Sequence, residues 1–142
     1  MLSLRLSCAA PCRVLEVDDN ADVADSQGIL LGCLGADTRV AYDGETALAI
    51  IPEFKPHLVI MDVAMPGMDG CETARRIRQL PEGKNLTLAA LSGWGHDDIR
   101  RQTAEAGFDH HFVKPMRVKA LERLLASCVH CAGRIASSDR AG

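Results

Sequence analysis

The sequence predicts an α/β domain in which five parallel strands alternate with five helices. Three observations predict it. Short apolar or β-branched runs alternate with helical patterns five times along the chain. Two of the runs, around Leu58-Val59-Ile60-Met61 and Leu88-Ala89-Ala90-Leu91, are apolar throughout, as strands covered on both faces must be. Gly, Pro, Asn or Asp stands at most of the boundaries between runs. Strands in such an alternation run parallel and are joined by right-handed helical crossovers.

Taken in order, Arg13 to Val17 reads as the first strand, followed by Asp18-Asp19-Asn20. Ala21 to Leu34 is helical, with Val23, Leu30 and Leu34 near one face and Gly35 as the residue that ends it. Thr38 to Tyr42 is a β-branched strand, and Asp43-Gly44 follows it. The second helix starts over Glu45 to Ile51, bracketed by Pro52 and Pro56. His57 to Met61 is the third strand. Asp69 has the position of an N-cap for the next helix, Glu72 to Leu80, and Glu72 completes a capping-box spacing. Leu86 to Leu91 is the fourth strand, and Asp97 to Ala106 a helix closed by Gly107. His110 to Val113 is the fifth strand. Arg117 to Ser127 is the last helix, with Val118, Leu121, Leu124 and Leu125 at helical spacing. Residues 1–12 are expected to form a flexible arm, 13–128 the domain, and 129–142 a frayed tail.

At 142 residues the chain is long enough for one domain with a core and too short for two. Its formal net charge of −3 leaves no electrostatic footprint for nucleic acid. No basic helix-turn-helix follows the last helix, which disfavours a DNA-binding regulator. No apolar run approaches the roughly 20 residues of a membrane span, and Met1 to Cys12 holds no long apolar signal region. Neither nucleic acid binding nor membrane insertion is expected, and the expected location is cytoplasmic. Cys33 and Cys71 lie in helix patterns and read as small core fillers. Cys8 and Cys12 precede the first strand, and Cys128 and Cys131 follow the last helix. Both pairs fall at the same edge of the sheet, where a zinc site built from all four thiolates is conceivable.

Chemistry collects at the other edge. The C-terminal ends of the strands carry Asp18 and Asp19, Asp62, Ser92 and Lys114. In a parallel sheet those ends share one side, so the five polar side chains converge. Three clustered carboxylates repel one another unless a cation neutralises them, and Mg²⁺ suits such a set. Lys114 and Ser92 suit the oxygens of a phosphoryl group, and an Asp carboxylate can itself be the nucleophile that takes one up. No Walker-type Gly-rich loop occurs, so ATP is not expected as the direct donor. Glu16 is out of place between Leu15 and Val17. The reading adopted is that it meets a polar partner, not that it is catalytic.

The segments Val14-Leu15-Glu16-Val17-Asp18-Asp19-Asn20, Met61-Asp62-Val63-Ala64-Met65-Pro66-Gly67-Met68-Asp69-Gly70, Leu91-Ser92-Gly93 and Val113-Lys114-Pro115 resemble the receiver (response regulator) domain of two-component signalling. The resemblance covers roughly Arg13 to Cys128. The stretch Ala106 to Pro115 is most similar to receivers attached to hybrid sensor histidine kinases. The resemblance implies a flavodoxin-like, doubly wound sheet of order 2-1-3-4-5. It implies a phosphoacceptor at Asp62, supplied by a sensor histidine kinase or a histidine phosphotransfer protein. Mg²⁺ would be held by Asp18, Asp19, Asp62 and the backbone carbonyl of Ala64. Ser92 would swing to the phosphoryl group, Lys114 would pair with it, and the Lys114-Pro115 bond would be cis. The fourth helix, fifth strand and fifth helix would form the output face for a downstream protein partner. Receivers catalyse their own phosphorylation from small donors and their own dephosphorylation, and are not enzymes in the ordinary sense.

The chain departs from that pattern at three places. His111 stands where the family has an aromatic switch residue coupled to Ser92. Ala64 and Trp94 occupy the two positions that tune hydrolysis of the phosphoryl group, and together they suggest a long-lived phosphoryl state. The altered His111 and the odd Glu16 keep one rival open, a pseudo-receiver that docks a partner without phosphorylation. A second rival, a phosphohydrolase of the haloacid dehalogenase type, requires an Asp-x-Asp motif after the first strand. Asp18-Asp19-Asn20-Ala21 does not supply it.

Overall fold

The computed structural model describes residues 11–65, 67–93 and 97–128. The strands are β1 (Arg13–Val17), β2 (Asp37–Ala41), β3 (Leu58–Asp62), β4 (Thr87–Ser92) and β5 (His110–Val113). The helices are α1 (Ala21–Cys33), α2 (Gly44–Phe54), α3 (Gly70–Gln79), α4 (Asp97–Ala106) and α5 (Val118–Cys128), with a 3-10 turn at Pro81–Gly83. All strand pairs are parallel, in the order β2-β1-β3-β4-β5. This is the flavodoxin-like arrangement that the sequence led us to expect. The strand order reverses between β1 and β3, which is where open α/β sheets leave a crevice at the strands' carboxyl ends.

Strand alternation divides the core into two layers. Leu15, Val17, Val59, Met61, Leu88 and Ala90 pack with Ala47 and Ile51 of α2 and Ala74 and Ile77 of α3. Val14, Leu58, Ile60, Ala89 and Leu91 pack on the other side with Leu31 of α1 and Leu121, Leu124 and Leu125 of α5. All five residues of β3 are buried. Each fully buried aliphatic side chain contributes about 1.5–3 kcal/mol, so β3 anchors the sheet.

Local structure differs from the sequence reading at four points. Helix α2 runs through Pro52 to Phe54 and does not stop before it. Pro52 lies in the last turn, where the missing N–H forfeits one intrahelical bond only. Helix α1 turns Ala24, Gly28 and Leu31 inward, while Val23 is 41% exposed and Leu30 and Leu34 are half-buried. The sheet approaches this helix closely: a Cβ on Gly28 would stand 2.9 Å from Val40 Cγ2, so small residues take the line of contact. Cys33 is exposed and fills no core, whereas Cys71 is buried as expected. The capping box at α3 is half made. Asp69 Oδ1 accepts from the Glu72 N–H at 2.9 Å, but the Glu72 carboxylate turns away to Arg75 and Arg76.

At the amino-terminal edge of the sheet, Arg78 of α3 ties four segments together. Its guanidinium donates to the carbonyls of Gly83 (3.0 Å), Leu86 (2.7 Å) and Gly107 (3.0 and 2.7 Å) and to the Asp109 carboxylate (2.8 Å). Cys12 and Cys128 are buried in one core layer near this edge. Burial, followed by the neighbouring Cys128 thiol, pushes the Cys12 thiol up to about 12. Their partners in the conceived zinc site, Cys8 and Cys131, lie outside the described residues, as do the arm and the tail. Among the described residues no helix is long and apolar enough to cross a membrane.

Candidate functional site

The strands deliver their polar residues to one edge. Asp18 follows β1 directly, and its N–H donates to Ala41 O of β2 at 3.1 Å, which prolongs the ladder by one bond. Its side chain is turned inward and is 1% exposed. Asp18 Oδ1 accepts the Asn20 N–H at 2.9 Å, and Asn20 caps α1 by accepting from Val23 N. Asp19 between them is exposed. Asp62 is the last residue of β3 and is 3% exposed. The chain turns sharply after it, and Gly70 at the start of α3 passes so close that a Cβ there would lie 2.6 Å from Asp62 O. Only glycine fits that approach.

Ser92 ends β4, and the Lys114 N–H donates to Ser92 O at 2.8 Å, carrying Lys114 to the same edge. The Lys114-Pro115 bond is cis, as the resemblance implied. Lys114 Nζ donates to Asp62 Oδ2 at 2.8 Å and stands 3.8 Å from Asp18 Oδ2. Burial works against its charge, but the bond to Asp62 and the charges of Asp62, Asp18 and Asp19 outweigh it and hold the ammonium above its ordinary value. Asp62 Oδ1 accepts the Ala64 N–H at 3.0 Å.

Asp18, Asp19 and Asp62 each place an oxygen within 4.8 Å of the others. Asp18 Oδ2 is buried and accepts no hydrogen bond. Burial, then the nearby Asp62 charge, raise the Asp18 carboxyl above its usual range against the pull of the Asn20 bond. A cluster of hard oxygen donors with one buried oxygen that accepts no hydrogen bond is a fitting seat for a divalent cation. Thus Asp18, Asp19, Asp62, Ser92 and Lys114 are brought together. Ala64 lies two residues past Asp62, exposed, while Trp94 is outside the described residues.

Two contacts give the sequence reading its partners and geometry. Ser92 Oγ and His111 Nε2 form a 2.8 Å hydrogen bond, which spacing cannot show because it depends on β4 and β5 pairing in register, Ala90 opposite His111. Glu16 is fully buried and finds Gln27 of α1, whose amide lies 3.4 and 3.3 Å from its two oxygens. Burial holds this carboxyl well above the ordinary range despite the Gln27 bond. A strand carboxylate flanked by Leu15 and Val17 signalled a polar partner, but not which helix would provide it.

The family model described as "response regulator receiver domain" matches residues 14–126. The chain belongs to that family. The receiver is 35% identical over 134 residues to the response regulator MprA of Mycolicibacterium vanbaalenii, an alignment covering 93% of this chain and 55% of MprA. It therefore spans about half the length of the MprA proteins it matches. Among solved structures it is similar to the chemotaxis protein CheY4 of Vibrio cholerae, with a TM-score of 0.79, 26% identity, and coverage of 84% of this chain and 99% of that one. It is also similar to the receiver domain of a sensor histidine kinase from Pseudomonas aeruginosa PAO1, solved with a magnesium ion coordinated in its active-site cleft. There the TM-score is 0.77 and the identity 25%, over 84% of this chain and 98% of that one.

Proposed function

We propose that this receiver accepts a phosphoryl group on Asp62 from a histidine of a sensor histidine kinase or a histidine phosphotransfer protein. The supporting observation is the convergence of Asp18, Asp19, Asp62, Ser92 and Lys114 on one sheet edge, with Lys114 Nζ already 2.8 Å from Asp62 Oδ2. An Asp62 oxygen bonds to phosphorus as the phosphorus–nitrogen bond breaks, and the bonding pair returns to the donor imidazole. The product is an acyl phosphate. Lys114 offsets the charge of the phosphoryl oxygens, and the Ser92 hydroxyl donates to one of them. Asp18, Asp19, Asp62 and the Ala64 carbonyl would hold Mg²⁺, which would neutralise charge on the transferring group. New contacts to Ser92 and Lys114 then bias the receiver between two states of its α4–β5–α5 face, where a downstream protein reads the difference.

The Ala64 side chain has no polar atom with which to orient a hydrolytic water, so the acyl phosphate is expected to persist for many minutes. A half-life of seconds overturns that part of the reading. The test of the whole is intact-mass detection of phosphorylation by acetyl phosphate, with Mg²⁺ and with chelator, on wild type and Asp62→Ala. One Mg²⁺-dependent adduct, absent from Asp62→Ala, is the expected result. An adduct that survives in Asp62→Ala would move the acceptor elsewhere.

A further inference from the structure

His111 belongs to β5 and faces the α4 side of the sheet, half-buried, with Nε2 2.8 Å from Ser92 Oγ. Its other ring nitrogen, Nδ1, is buried and has no hydrogen-bond partner. Nδ1 forfeits a hydrogen bond in either neutral tautomer, and the contact between Nε2 and Ser92 Oγ is compatible with a proton on either atom. Orphaned buried N–H groups are the rarer kind, which favours the proton on Nε2 and the ring as donor to Ser92. Burial, then the Arg100 charge, hold the imidazole below its ordinary value, which keeps it neutral around neutral pH.

We infer that His111 is a positioning residue for phosphoryl uptake: its Nε2–H donates to Ser92 Oγ and aims the Ser92 hydroxyl proton at the phosphoryl oxygen on Asp62. The ring occupies one lone pair of the hydroxyl and leaves the proton to be given elsewhere. A hydroxyl that accepts one hydrogen bond also donates a stronger one, since chained bonds polarise each other. The coupling between β4 and β5 is thus a directed hydrogen bond, which a purely apolar ring at this position cannot make. The inference rests on the phosphoacceptor reading.

Two measurements test it. The first is the nitrogen-15 spectrum of the His111 imidazole in the folded wild type near neutral pH, where the proton is expected on Nε2. A proton on Nδ1 overturns the inference without any substitution. The second is binding of beryllofluoride, a phosphoryl mimic, with Mg²⁺ by calorimetry to wild type, His111→Phe and His111→Gln. Phe keeps a ring and loses the donor, while Gln keeps an N–H donor and loses the ring. The expectation is about fivefold weaker binding for His111→Phe, the worth of one ordinary hydrogen bond, and near-complete recovery in His111→Gln. Mg²⁺ affinity is expected to stay the same in both, a readout that general damage to the edge would shift. Wild-type affinity in His111→Phe, or equal losses in both variants, overturns the inference. Failure of wild type to take up either beryllofluoride or a phosphoryl group overturns the receiver chemistry itself, and the inference with it.

Discussion

Two ion pairs of nearly identical length sit at opposite edges of the same sheet. Arg78 meets Asp109 at 2.8 Å at the amino-terminal edge, and Lys114 meets Asp62 at 2.8 Å at the carboxyl-terminal edge. Their surroundings differ. Every N–H of the Arg78 guanidinium points at an acceptor, and Asp109 Oδ2 also accepts the Leu88 N–H at 3.0 Å. No guanidinium N–H is left over, so the nearby cavity lined by Arg78, Thr87 and Gly107 is offered no donor from this side chain. At the other edge, three carboxylates share one lysine. Lys114 reaches a single hydrogen-bonded acceptor, and Asp18 Oδ2, 3.8 Å from the ammonium, accepts no hydrogen bond. A saturated pair clamps secondary structure, whereas an unsaturated one stores repulsion that a cation can relieve. Distance between charges does not tell the two apart, but the count of unmet partners does.

The sharpest break of this contrast is Arg78→Met. It keeps the apolar stem and orphans the carbonyls of Gly83, Leu86 and Gly107. We expect a loss of about 3 kcal/mol in urea unfolding, with Mg²⁺ binding intact. A loss below about 0.5 kcal/mol would remove the clamp from the account. Next in size is the response to Mg²⁺. At a hundredfold excess over its dissociation constant, the ion is expected to stabilise wild type and Arg78→Met alike by about 2.7 kcal/mol, and Asp62→Asn by much less. Equal gains in all three proteins would place the ion elsewhere.

A third test removes charge in place of adding it. Without divalent ions, Asp62→Asn is expected to raise stability by up to about 1 kcal/mol, because it relieves crowded carboxylates at the cost of one lysine bond. A clear drop in melting temperature would show that the Lys114–Asp62 pair is a clamp after all. The smallest effect concerns pH. His111 is held below its ordinary value by burial and Arg100. The unfolded chain therefore binds a proton below about pH 6.5 that the folded chain refuses, so stability falls as pH falls through that window. Wild type is expected to lose stability relative to His111→Phe from about pH 7 to about pH 5, by less than about 1 kcal/mol. Parallel pH profiles would count against that burial.

Residue order alone placed the strands, their parallel direction and the five polar residues at one edge. Apolar runs of strand length leave few ways to alternate with helices, and side chains at equivalent strand ends meet once the strands are parallel. Asp18, Asp19, Asp62, Ser92 and Lys114 were legible for that reason. What the chain order could not settle was every matter of facing and partner. Which side of α1 packs inward depended on how close Val40 comes to Gly28. The partner of Glu16, the saturation of Arg78 and the bond from His111 to Ser92 each join different elements of the chain, and the exposure of Cys33 follows from which face of α1 meets the sheet. Periodicity reports on neighbours within about two turns of a helix or a few residues of a strand. Contacts across the sheet and between layers arise only when packing brings distant residues into register, and there the division between clamp and reactive edge was made.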